Sequence, residues 1–254
     1  MSLRLRQIVL IANKLAPVVD DVREVFGLEV AFRDPAVATF GLENAVFPVG
    51  NQFLEVVAPT REGTAGGRYL DRRKGDGGYM VILQADDQAP YKRRAAELNI
   101  RKAMEHEEPE FNIMQLHPRD TGGCLLEIDQ QLGGNPSEDW MPAGPDWRSK
   151  VRTEVVRSFA AAELQAPDQA GLADRWGQIL ELPVKATAEG QPSLQVANAD
   201  VRFVADQDGR GEGLGGVDLV VADRERLLAA AQRRGLSVDG DCVELCGVRF
   251  RLVG

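Results

Sequence analysis

The stretch His117-Pro118-Arg119-Asp120-Thr121-Gly122-Gly123-Cys124-Leu125-Leu126-Glu127-Ile128-Asp129 decides how the rest of the chain is read. A polar, glycine-bearing loop runs straight into a short apolar strand with Glu127 between Leu126 and Ile128. A carboxylate there either faces water or points into a cavity where it has a partner, because an unpaired buried charge is too costly. The same arrangement stands once earlier, as Asn51-Gln52-Phe53-Leu54-Glu55-Val56-Val57-Ala58-Pro59. Two strands, each with a central Glu after a turn, indicate a site assembled from repeated parts.

Working outward, the chain shows one order of elements four times. Residues 7–12 are an apolar run short enough for a buried strand. Pro17 opens a helix with Val18, Val22, Val25 and Phe26 on one face, and Gly27 stops it. Strands are expected around 29–33, 39–49 and 51–58. After a glycine-rich, basic connector at 61–78, the order begins again. Residues 79–85 read as a strand, Asp86-Asp87 as a helix cap, and Tyr91, Ala95 and Leu98 as the buried helix face. Strands follow at 100–104, 111–116 and 124–129. Residues 133–150, with Trp140 and Trp147, read as a linker pinned to a surface by its tryptophans. Beyond it, Asp168 caps a helix carrying Leu172, Trp176, Ile179 and Leu180, and Asp223 caps one carrying Leu227, Leu228 and Ala231. A hairpin around Gly247 closes the chain. Repeats of roughly 50–70 residues fit paired domains made of two similar halves rather than a solenoid.

Composition sets the outer bounds. With 254 residues, 44% of them apolar and 27% charged, the chain is long enough for one or two globular domains. A net charge of −9 argues against nucleic acid as a partner, since binding phosphates needs a basic surface. No apolar run approaches the ~18 residues that suggest a membrane span. The start of the sequence has no signal-peptide core, so cytoplasm is the expected compartment. Cys242 and Cys246, read on one strand, would stand roughly 13 Å apart, and with Cys124 all three read as reduced structural thiols.

Tandem strand-helix-three-strand units, with a polar residue opening the first strand and a Glu in the last, resemble the vicinal oxygen chelate superfamily. That group includes glyoxalase I, extradiol dioxygenases, methylmalonyl-CoA epimerase and the bleomycin and fosfomycin resistance proteins. The resemblance covers both halves in layout but is specific in sequence only across residues 5–130. It implies an α+β fold of βαβββ units in curled mixed sheets. Two paired-unit domains are expected at 1–132 and 151–254, joined by the 133–150 linker. It also implies a divalent ion (Zn, Mn, Ni or Mg) held by one first-strand and one last-strand residue of each unit. Carried onto this sequence, those positions are Gln7, Glu55, Tyr79 and Glu127, with Gln7, Glu55 and Glu127 as the metal ligands. Tyr79 stands where a His or Gln is usual, and a protonated phenol is a poor ligand.

Two functions follow, and the sequence leaves both open. With an ion, the protein is a lyase or isomerase of the glyoxalase or epimerase kind. The metal then steadies an enolate or enediolate while Glu127 or Glu55 moves the proton. Without one, it is a metal-free binding or sequestering protein of the bleomycin-resistance type, with Tyr79 as the aromatic floor of its pocket. Extradiol oxygenation needs two His and a carboxylate on iron, and neither His106 nor His117 lies at a ligand position. The loop at 118–123, with His117, Arg119 and Thr121, would suit an anionic end of a small-molecule substrate, or is a simple turn. Arg68, Arg72, Arg73 and Lys74 form a second basic patch on the connector. Residues 151–254 lack a His or a carboxylate cluster and read as a metal-free copy, for structure or homodimer contact.

Overall fold

The computed structural model describes residues 2–136 and 138–254. In chain order its first quarter holds β1 (Leu3–Ile11), α1 (Leu15–Phe26), β2 (Leu42–Val49) and β3 (Gln52–Pro59). The second holds α2 (Ala65–Arg73), β4 (Gly77–Ala85), α3 (Ala89–Glu97), β5 (Lys102–Glu107), β6 (Phe111–Leu116), α4 (Pro118–Thr121) and β7 (Leu125–Gln131). The third holds β8 (Val156–Ala166), α5 (Gln169–Leu180), β9 (Lys185–Ala186), β10 (Pro192–Gln195) and β11 (Asp200–Ala205). The last holds β12 (Gly213–Val221), α6 (Arg224–Arg233), β13 (Ser237–Asp239), β14 (Cys242–Leu245) and β15 (Val248–Val253). Strands β1–β7 belong to one mixed sheet and β8–β15 to a second, as an α+β protein of paired βαβββ units requires.

Compactness follows a different division. Unit I comprises Met1–Arg6, Tyr79–Met141 and Ala161–Gly215; unit II comprises Gln7–Gly78, Pro142–Ala160 and Gly216–Gly254. Each unit therefore takes one repeat from each half of the chain. Within unit I the strands run β4-β7-β6-β5 and β8-β11-β10-β9; within unit II, β2-β3-β1 and β13-β14-β15-β12.

The helices explain the grouping. In unit II, α1 buries Leu15, Val18, Val19, Val22, Val25 and Phe26. Phe26 meets Phe250 edge to face at 4.9 Å, and Asp21 binds Arg234 just beyond α6 at 2.7 Å. Gly27 ends α1 in the left-handed region at φ 69°, where a Cβ would come within 2.9 Å of Val155. In unit I, α5 buries Leu172, Trp176, Ile179 and Leu180, and Arg94 of α3 donates to the Gln178 carbonyl at 2.8 Å. Asp168 and Asp223 cap α5 and α6 as expected, accepting from the backbone of Gly171 and Arg226.

Several local expectations are corrected. The strand expected at 29–33 shrinks to a single bridge, Phe32 to Val46. Residues 35–40 form a 3-10 turn capped by Asp34, where Pro35 sets the first φ and the Asp34 carboxylate accepts from Ala36. The basic connector is not a loop: Thr64 caps α2 through Gly67, and Lys74 closes it in the left-handed region. Cys246 does not share a strand with Cys242. It forms, with Gly247, a two-residue turn with both φ angles positive, the geometry that matches strand twist. All three cysteines are unbridged thiols. The tryptophans of the linker do pin it: Trp147 meets Phe53 at 5.0 Å and Trp140 meets Phe111 at 5.2 Å, both edge to face.

Candidate functional site

Strand register gives each repeat an equivalent pair of positions. Where the first and last strands of a repeat run parallel, ladder partners project to the same face. The partners are Val9 with Glu55, Ile82 with Glu127, Glu163 with Arg202, and Asp218 with Arg251. Residues two steps earlier on the first strand share that face: Gln7, Met80, Ala161 and Gly216.

In the first repeat the two positions meet directly. Gln7 Nε2 donates to Glu55 Oε2 at 2.7 Å, and Asn44 Nδ2 donates to Glu55 Oε1 at 2.7 Å. Asn44 is itself oriented, because its Oδ1 accepts from the Asp34 backbone at 2.8 Å. Both amides are buried and Glu55 is half-buried, so charge-assisted bonds hold the carboxylate from both sides. Nothing in the sequence alone marked Asn44. It lies on β2, and only the β2–β3 register brings it to the Glu55 face.

In the second repeat two expectations change. The position equivalent to Gln7 is Met80, and alternation along β4 turns Tyr79 to the face opposite Glu127. Tyr79 is therefore not the floor of a pocket over Glu127. The polar residues that do join Glu127 are Gln115, its ladder partner on β6, and Asp129, two residues further along β7. Gln115 Nε2 lies 3.8 Å from Met80 Sδ. Gln84, across the ladder from Asp129, faces the same way.

Glu127 and Asp129 form a buried carboxyl pair, at 5% and 0% exposure. Burial pushes the Glu127 carboxyl up, and hydrogen bonds with Asp129 and Gln115 offset this in part. Asp129 is pushed well above the ordinary carboxylate range by burial, then by the charge of Glu127 and the hydrogen bond it makes there. Burial thus disfavours ionising both acids, and the charge of one raises the other further. Fully ionised, the pair would set two like charges side by side in a buried place, with the Gln115 amide steadying Glu127 and the Met114 backbone steadying Asp129.

A strap of linker lies across this face in unit I. Gln84 Nε2 donates to the Pro136 carbonyl at 2.6 Å, and Gln131 Nε2 to the Gly133 carbonyl at 3.0 Å. Met141 N donates to Gln131 Oε1 at 3.0 Å. Trp140 packs on Phe111, which faces the same way as Gln131, and Arg6 stacks over the indole at 5.3 Å. Gln84 and Gln131 flank Asp129 on this face, so the strap is anchored on both sides of that buried acid.

The donors present do not fit a resident divalent ion. Both Glu55 oxygens are taken by amide N–H groups, Met80 offers a soft thioether beside hard carboxylates, and burial pushes the Glu127 carboxyl up. Among the described residues no group of three or more His, Cys, Asp or Glu is placed to hold a metal.

The 117–123 segment is also reassigned. It is a one-turn helix in which His117 Nδ1 accepts from Arg119 N at 3.2 Å. Thr121, fully buried, donates to the Cys124 carbonyl at 2.6 Å, and its own carbonyl accepts from Trp176 Nε1 at 2.8 Å. Arg101 grips the Asp120 carboxylate at 2.7 Å and holds it well below the usual range. Gly123, at φ 83°, lies so close to Glu212 that a Cβ would fall 2.0 Å from its carbonyl oxygen. The segment docks α5, and Arg119 is left exposed in water. His106 is exposed and pairs with Glu108 at 2.8 Å.

In the second half, the matched positions hold ion pairs. Arg202 binds Glu163 at 2.9 Å with both side chains buried, and Arg251 binds Asp218 at 2.6 Å. Only the ladder register brings each acid, set in an apolar first strand, to its arginine on the last strand. This copy is neutralised from within.

No protein-family model and no curated protein matches the sequence. Solved structures do. A 4-hydroxymandelate synthase variant from Streptomyces coelicolor aligns at TM-score 0.70 and 15% identity, over 93% of this chain and 76% of that one. A hypothetical protein from Staphylococcus aureus aligns at TM-score 0.68 and 10% identity, over 99% of both chains. A methylmalonyl-CoA epimerase from Streptomyces coelicolor covers 52% of this chain and 100% of its own, at 21% identity and TM-score 0.46. This chain shares the fold of the synthase and of the Staphylococcus aureus protein.

Proposed function

We propose that this chain uses its vicinal oxygen chelate fold to bind a small organic molecule without a resident metal, at the face bearing Met80, Gln115, Glu127 and Asp129. The observation that supports this most directly is the burial of Glu127 and Asp129 side by side, both carboxyls pushed up by it, where the resemblance implied a metal-bound carboxylate. A neutral carboxyl beside an ionised one offers a ligand both a donor and an acceptor in an apolar setting, which suits a carbonyl or hydroxyl oxygen. Both acids are covered, so the bound state requires the cover to move. Met80, an unbranched thioether, is the most deformable part of it.

Two measurements test the proposal. The protein, produced with Zn, Mn, Ni and Mg supplied, is analysed for metal; substoichiometric content is expected. Thermal shifts are then read against a panel of 2-oxo and 2-hydroxy acids and their neutral esters. A member that raises Tm for the parent but not for Glu127→Gln or Asp129→Asn is expected. Stoichiometric metal, lost in a Glu55→Gln, Glu127→Gln double variant, overturns the proposal. Solvent deuterium entering the bound compound next to its carbonyl, and failing to enter with Glu127→Gln, marks a metal-free proton-transfer enzyme. An unchanged ligand marks a binder.

A further inference from the structure

A second surface feature, within unit II and apart from the carboxyl face, is a cleft of about 320 Å³ lined by Val19, Arg23, Glu29, Val30, Arg33 and Lys150. Its size is that of a small-ligand site. Three cations line it against one acid, in a chain whose net charge is −9. Nor is that acid free to cancel them. Glu29 Oε1 is held by Arg152 at 2.9 Å, and Lys150 reaches the other oxygen only at 3.7 Å. Among the described residues, Arg23 has no ion-pair or hydrogen-bond partner. Arg33 spends one N–H on the Asn44 carbonyl at 3.1 Å and meets no carboxylate. Two guanidinium groups without a counter-ion thus face a wall made by buried Val19 and half-buried Val30.

We infer that this cleft binds a small organic carboxylate with a short aliphatic stem, its charge on Arg23 and Arg33 and its stem on Val19 and Val30. Guanidinium forks match a carboxylate in two-point geometry, and Lys150 adds a point charge to one side. The valines set the preference: an anion with an aliphatic tail gains by covering them, and a bare inorganic anion does not. Arg33 also joins the cleft to Asn44, which holds the Glu55 carboxylate, so occupancy is felt at Glu55 through a single residue.

The test titrates butyrate, acetate, inorganic phosphate and the neutral isostere butyramide into the full chain, read by nuclear magnetic resonance. Saturable shifts are expected at the Arg23 and Arg33 side-chain N–H groups and the Val19 and Val30 methyls. Butyrate should bind more tightly than acetate or phosphate, and butyramide not at all. Arg23→Gln alters an exposed residue without a partner and leaves folding intact; with Arg33→Gln it weakens butyrate by about tenfold or more. Shifts that map elsewhere, equal binding of butyramide, or full affinity in Arg23→Gln, Arg33→Gln each overturn the inference. Phosphate binding as tightly as butyrate overturns the assigned ligand class. Glu127→Gln leaves butyrate binding unchanged, which separates this result from that for the carboxyl face.

Discussion

Arg202 faces Glu163 across the β8–β11 ladder, at the same step at which Glu127 faces Ile82 across β4–β7. One repeat has closed this position with an ion pair, and the other keeps an acid there without a cation. The closed pair is buried, so removing one partner strands the other. Arg202→Met should cost roughly 3–5 kcal/mol in urea denaturation, whereas Arg202→Met with Glu163→Leu should come close to the parent.

The Glu127–Asp129 pair predicts a pH dependence of defined sign. Both acids titrate higher in the folded protein than in the unfolded chain, so the unfolded chain releases protons first as pH rises. Their contribution to stability is intact below the ordinary carboxylate range and is lost as pH climbs from there toward the raised values. Asp129→Asn, which keeps a donor for Glu127 but cannot ionise, should be more stable than the parent by roughly 1–3 kcal/mol at pH 7–8. At pH 4 the gap should shrink. Equal pH slopes for the two proteins would show that the Asp129 carboxyl is not raised.

At the acid end the sign reverses. Burial alone would raise Asp208, but hydrogen bonds from Gln165 and Arg210 outweigh it and bring the carboxyl down to about 2. That stability is present above the unfolded value and lost as pH falls through 2. Asp208→Asn should therefore flatten the stability curve between pH 4 and 2 and leave the slope above pH 5 untouched.

Trp140 holds the strap over Asp129. Trp140→Ala should destabilise the protein by about 3 kcal/mol, and Trp140→Phe by less. Amide exchange in residues 133–141 should speed up with it. If exchange accelerates throughout unit I to the same degree, the strap is part of the core rather than a separately opening cover.

Neither half of the sequence should fold alone. A fragment ending at residue 150 keeps α1 without α6 and α3 without α5, and leaves the Thr121 carbonyl without Trp176. Circular dichroism of that fragment should show no cooperative thermal transition, and mixing it with residues 151–254 should restore one.

How much of this the sequence disclosed depends on distance along the chain. The repeat order was legible because caps and buried faces are local: Asp168, Asp223, Gly27 and the aliphatic stripe of α1 all behave as read. The Gln7–Glu55 pair was legible because the repeat offered both halves. Tyr79 was misplaced by one residue, and in a strand one residue changes the face. Met80 gave no signal, since a thioether in an apolar strand reads as core. Asp129 stands beside Glu127 in the sequence without declaring a role, because partnership between acids depends on what buries them, which local sequence does not show. Asn44, Glu163 and Asp218 became visible only through register between strands.

The two-residue turn at Cys246 and Gly247 has a practical use. Because it joins β14 to β15 with no slack, the rung that places Arg251 against Asp218 is set by the turn's length alone. Lengthening it by a single residue would slide β15 along its neighbour, turn Arg251 away and leave Asp218 stranded. That makes the hairpin tip a built-in gauge of alignment, where an insertion reports on charge pairing far from the cut.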